Sequence, residues 1–130
     1  MEAGIERLAA LSFIVIGLSH IAAPGAWTRF FLDMRSRGDA AGLLNALVHM
    51  PLGLLIVSFH WVWSWPGIIV TLVGCALTVK GALYFIHPRI AAIGLGHIDE
   101  SNGWRFRVAG AFGLMLGLVM AWAAWAGGAV

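Results

Sequence analysis

Apolar residues run along this chain in four long stretches, near 5–23, 41–60, 67–87 and 104–126. The charged residues gather in the segments that join the first to the second and the third to the fourth. Each stretch approaches the roughly 20 apolar residues that a helix needs to cross a hydrocarbon core of about 30 Å. Lipid offers the backbone no water, and a helix satisfies its own amides. The pattern predicts an all-α integral membrane protein, one domain over residues 1–130 with four transmembrane helices. The first stretch has the look of a secretory signal, but Met1–Arg7 hold two acids and one base, whereas a signal peptide begins with net positive charge. It reads as a retained helix.

Orientation follows from the basic residues, which collect in cytoplasmic loops. Arg29, Arg35 and Arg37 lie after the first span, and Arg89, Arg105 and Arg107 lie before the fourth. The turn His60–Gly67 has no lysine or arginine; Arg7 stands alone near the start, and Lys80 is inside a span. The expectation is a multi-pass protein of a bacterial-type inner (plasma) membrane with both termini periplasmic. Trp27 and Trp104 would mark one interface, and Trp61, Trp63, Trp65, Trp122 and Trp125 the other, the half-wet level that indole rings favour.

A faint repeat organises the spans. Gly17 stands seven residues before Pro24, and Gly81 seven before Pro88. Each proline is followed by a polar segment and a returning helix, so the spans read as two hairpins in a parallel repeat. Inverted repeats, by contrast, are the usual mark of alternating-access carriers. Lys80-Gly81, Tyr84, Pro88 and the run Arg105-Phe106-Arg107-Val108-Ala109-Gly110 resemble a family of very short two-helix bacterial inner-membrane proteins of unknown function. That resemblance covers the second hairpin only. In size and span count the chain also resembles the DoxX-like group of four-helix membrane proteins. Neither resemblance implies a catalytic residue.

Composition narrows the functional classes. The chain is 61% hydrophobic and 11% charged, against roughly 25% charged for an average soluble domain. Its pI near 9.3 arises from few charges, which positive-inside loops explain, so nucleic acid is not an expected partner. The single cysteine, Cys75, excludes a disulfide or a cysteine metal site within one chain. The sequence has no Ser/His/Asp set, paired carboxylate, phosphate loop or nucleotide motif, and points away from an enzyme.

Two sets of residues are candidates for function. The first is small. Gly110, Gly113 and Gly117 continue from Arg107 to Ala121 and Ala124 as one ridge on span four, and Gly67, Thr71, Gly74, Thr78 and Gly81 form another on span three. Small residues let membrane helices approach closely. The ridges therefore either pack spans three and four together or form the seam of a homo-oligomer.

The second set is polar. His20, Asn45, His49, Lys80, Tyr84, His87 and Arg107 all fall in the expected cytoplasmic half, and polar groups at membrane depth face inward and find partners. Lys80, His20, His49 and Arg107 are expected to face a shared cavity, with Asn45 orienting His49 and Tyr84 donating to the bound group. Pro51 removes the donor that would reach the Leu47 carbonyl and is expected to kink span two. All six acids lie in loops or at the first terminus, which disfavours a cation pump and favours an anion or acidic lipid headgroup. Blander readings compete: Lys80 snorkels to the headgroups, Arg107 holds inner-leaflet phosphates, His20 and His49 bond between helices, and His60 and His87 are solvated at interfaces. No cofactor is expected. His20 with His49 is the one pair suited to haem, and a metal on His20, His49 and His87 lacks the close spacing of such sites. The sequence thus favours a non-enzymatic, homo-oligomeric inner-membrane protein that binds anionic lipid, with membrane lipids, its own copies and a larger membrane complex as partners. A small channel or carrier for an anion or amphipathic acid is the alternative, and a haem-binding membrane subunit a further one.

Overall fold

Ala23 and His87 are the points where two long helices stop, and in both cases a proline comes next. The proline ring pushes the preceding residue out of helical backbone, and both residues leave it: φ −130° and ψ 53° at Ala23, φ −133° and ψ 78° at His87. The computed structural model describes residues 1–126. Its helices are α1 (Glu2–Ala22), α2 (Pro24–Ser36), α3 (Asp39–Phe59), α4 (Ile68–Ile86), α5 (Arg89–Leu95) and α6 (Gly103–Ala126), with a 3₁₀ turn at Glu100–Asn102. Helices α1, α3, α4 and α6 are long and apolar enough to cross a membrane. They fall on the four expected spans, and the fold suits a multi-pass membrane protein.

The joins depart from expectation. The segment after the first span is not a polar loop: it is the two-faced helix α2, and α5 holds the matching place after Pro88. Pro24 opens α2 at a position where a missing amide donor costs nothing. The α2 side chains divide into an inner set that includes Thr28 and Met34 and an exposed set that includes Arg29, Asp33 and Arg35. Gly38, at φ 57°, turns the chain into α3. Met34 packs with Ala41 and Leu95, flanked by Phe31 and Ile98, and Arg35 Nη1 donates to the Ile98 carbonyl at 3.0 Å. This is the elbow end of the bundle. Here Asp99 accepts from the Ser101 amide at 2.8 Å and from its hydroxyl, and the hydroxyl bond holds the Asp99 carboxyl below the usual carboxylate range. The helix α3 runs on through Pro51.

Helix pairing also differs from the expected hairpins. The dominant packing joins α1 to α6 and α3 to α4, while α2 rests mainly on α6 and α5 on α3. The first long helix of each repeat half therefore packs on the second long helix of the other half. The small-residue ridges explain the choice. A methyl group at Gly17 would stand 2.6 Å from the Leu114 amide, one at Gly110 2.7 Å from the Gly17 carbonyl, and one at Gly117 2.8 Å from the Ile14 amide. Only hydrogen fits. Gly113 is looser, with 3.9 Å to its nearest neighbour. On α4, Gly74 and Gly81 meet Ile56 and Met50 of α3 at 2.5 Å by the same measure. The ridges of spans three and four thus do not face each other; each meets a different partner within the chain.

The two pairs join at the opposite end, the turn end. Ala9, Ala10, Val70 and Met120 form a buried cluster there, flanked by Ile5, Phe13 and Ile56. The Arg7 guanidinium lies 5.4 Å from the Trp125 ring centre. The start of α1, the close of α6 and the turn between α3 and α4 therefore share one end.

Candidate functional site

Close approach of α3 and α4 at Gly81 brings its neighbour Lys80 within reach of His49. Lys80 Nζ donates to His49 Nε2 at 3.1 Å. His49 Nδ1 donates to the Asn45 carbonyl oxygen at 2.7 Å. Those two bonds fix the ring: a proton on Nδ1 and a lone pair on Nε2 facing the ammonium. The bond between His49 and Asn45 runs to the Asn45 backbone rather than to its side chain. The Lys80 ammonium also lies 5.6 Å from the Tyr84 ring centre, within range of the attraction between a cation and an aromatic face. Lys80 thus reaches sideways to α3 and remains exposed. An ammonium has three donors, and the His49 bond uses one. Among the described residues no carboxylate pairs with it.

His20 and Arg107 stand elsewhere, on the α1–α6 pair. His20 Nδ1 donates to the Ile16 carbonyl at 2.8 Å, and its ring stacks on Trp27 at 4.0 Å between centres. Phe106 and Phe31 continue the stack, 5.5 Å apart, and Trp27 Nε1 donates to Ser19 Oγ at 3.0 Å. Arg107 is exposed. No hydrogen bond or ring contact among the described residues links these groups to Lys80 or His49. A cavity of about 300 Å³ is lined by Ser19, Ala23, Ala26, Trp27 and Phe30, all from α1, α2 and the residue between them. The expected convergence of four cationic and imidazole groups on one cavity therefore resolves into two separate sites. The physical reason is the crossed pairing, which places α1 against α6 and α3 against α4. For haem the geometry is unfavourable, because both His49 nitrogens are engaged and His20 belongs to the other helix pair. Among the described residues no group of three or more His, Cys, Asp or Glu is placed to hold a metal ion. His87 is exposed.

A third polar group was not anticipated. His60 is not solvated: its side chain is 0% exposed. Its Nε2 lies 3.1 Å from Glu6 Oε1 and its Nδ1 3.1 Å from Thr71 Oγ1. Thr71 donates to the Val62 carbonyl at 2.8 Å and accepts from the Val62 amide at 3.1 Å. The sequence offered one sign, an acid near the start of the first span in a chain with very few charges.

Compared with protein-family models, curated proteins and solved structures, the chain matches none.

Proposed function

We propose that this chain is a non-enzymatic, multi-pass protein of a bacterial-type inner membrane, with both termini periplasmic, and that Lys80, His49 and Tyr84 bind an anionic lipid headgroup. One observation carries the reading: Lys80 is pinned by a neutral histidine, not by an acid, so its charge stays uncompensated inside an apolar span. A cation at membrane depth needs a counter-charge, and a lipid phosphate supplies one. The His49 lone pair steadies the ammonium without cancelling it, and the Tyr84 face shields one side. Self-association is part of the proposal. The elbow end, with Arg29, Arg37, Arg89 and Arg105 exposed, faces the cytoplasm, where anionic lipid attracts basic residues.

The test uses the full chain in nanodiscs of phosphatidylglycerol and phosphatidylcholine. Lys80→Met should lower phosphatidylglycerol retention roughly tenfold, about 1.4 kcal/mol, and leave the thermal transition in place. Equal retention by Lys80→Met would remove the site. Anion flux in liposomes that Lys80→Met abolishes would instead favour a channel or carrier. A reporter fused after Val130 should read periplasmic, and one inserted near Ser36 cytoplasmic.

A further inference from the structure

The hydrogen bonds around His60 can be counted, and the count demands an extra proton. Thr71 has one hydroxyl hydrogen, and the Val62 carbonyl at 2.8 Å, an acceptor only, must receive it. The Thr71 oxygen then accepts from the Val62 amide and, at 3.1 Å, from His60. His60 Nδ1 is therefore the donor and carries hydrogen. With that position filled, a neutral ring would turn the bare lone pair of Nε2 toward Glu6 Oε1, 3.1 Å away. Opposite an ionised carboxylate, that contact is repulsive. It becomes a hydrogen bond only with one more proton, as imidazolium with carboxylate or as imidazole with carboxylic acid.

The position of this bond gives the proton a consequence. Glu6 belongs to α1, whereas His60 and Thr71 belong to the α3–α4 pair and its turn. Among the described residues, Glu6–His60 is the only hydrogen bond tying α1 or α6 to α3, α4 or the turn between them. His60 is sealed at 0% exposure, while the Glu6 side chain is 24% exposed. A cavity of about 10 Å³ adjoins Glu6, lined by Pro66, Gly67, Val70 and Met120 among others, near the threshold for a single water. A proton can thus reach the pair through the carboxylate. We infer that Glu6 and His60 form a proton-binding site that latches the two helix pairs together at the turn end.

Losing the proton breaks a bond whichever tautomer results. If hydrogen stays on Nδ1, the Glu6 bond is lost. If it moves to Nε2, Thr71 must leave the Val62 carbonyl to serve Nδ1, and the turn loosens. Either way the turn end is tightest at lower pH and slackens as pH rises, through loss of the Glu6 bond in the first case and through loosening of the turn that carries His60 in the second. Few other charges compete. From α1 the neighbours are the amino terminus, Glu2 and Arg7, the last engaged with Trp125. Besides His60 itself, the turn and α4 as far as Val79 hold one ionisable side chain, Cys75, the half of α3 from Met50 to Phe59 holds none, and α6 from Val108 to Ala126 holds none.

The test measures the distance between spin labels at Ala3→Cys and Ser64→Cys, both exposed positions, in the full chain with Cys75→Ser in lipid nanodiscs. In acidic buffer the distribution should be narrow, and in alkaline buffer it should broaden. Glu6→Gln should stay narrow in both, because a glutamine amide donates to the Nε2 lone pair of a neutral ring. A distribution unaffected by pH in the parent chain, or Glu6→Gln broadening as the parent does, overturns the latch. Imidazole ¹⁵N spectra of the parent chain provide a check that does not depend on the variant. In acidic buffer His60 Nδ1 should carry hydrogen, and a bare Nδ1 there would refute the proton count.

Discussion

Two histidines in this bundle are held in nearly the same way and come to opposite ends. His49 and His60 each donate from Nδ1 to an oxygen, and each has Nε2 3.1 Å from a side chain carried by another helix. At His49 the partner is a lysine, so the ring must be neutral and the positive charge remains on the surface. At His60 the partner is a glutamate, so while Nδ1 donates to Thr71 the contact needs an added proton, and the imidazole is fully buried. The sign of one neighbouring side chain thus separates a group left with an unpaired positive charge from one that has its counter-charge beside it.

That contrast can be broken by experiment. The largest effect should come from His60→Ala, which leaves a void beside Thr71 and takes away the partner of Glu6; removing one member of a buried pair costs about 3–5 kcal/mol, the lower figure being apt because Glu6 is partly exposed. His49→Ala leaves an exposed lysine, and its cost should stay below about 1 kcal/mol, as for surface ion pairs. Thermal unfolding in detergent checks both, and similar losses would erase the distinction. Gly81→Leu should cost about 1–3 kcal/mol through overpacking and also weaken phosphatidylglycerol retention, since it pushes Lys80 away from His49 without altering either. Normal retention in that variant would mean that the bond to His49 is irrelevant to binding. The smallest effect belongs to Asp99. Its bond to Ser101 favours the ionised form, so the stability it lends is present above the unfolded carboxyl value and is lost as pH falls through the lowered one. Hydrogen exchange at the Ser101 amide should rise in acid relative to Asp99→Asn, while the helix pairs stay together.

The four long apolar helices were legible because length and unbroken apolarity are local properties. Pairing was not. The spacing of Gly110, Gly113 and Gly117 marks a face on α6 but carries no address, and only the geometry shows that it meets Gly17 and Ile14 of α1. The helix α2 was hidden because its pattern is short and mixed with charge, though Pro24 followed by Trp27, Thr28, Phe31 and Met34 holds the helical spacing. Lys80, His49 and Tyr84, grouped by shared depth, do lie together, while His20 and Arg107 have the same depth on other helices. His60 was misread because an imidazole at the edge of an apolar run, beside three tryptophans, looks interfacial. What buries it includes Glu6, 54 residues away, a distance over which periodicity says nothing.

The crossed pairing has a temporal consequence. A ribosome completes α1 first, yet the surface that Gly17 fits, between Gly110 and Leu114, is not synthesised until most of the chain has emerged. The α3–α4 pair, joined by a short turn, can close while α1 still waits. Through that interval α1 offers a bare glycine groove and the unpartnered acid Glu6 to its surroundings.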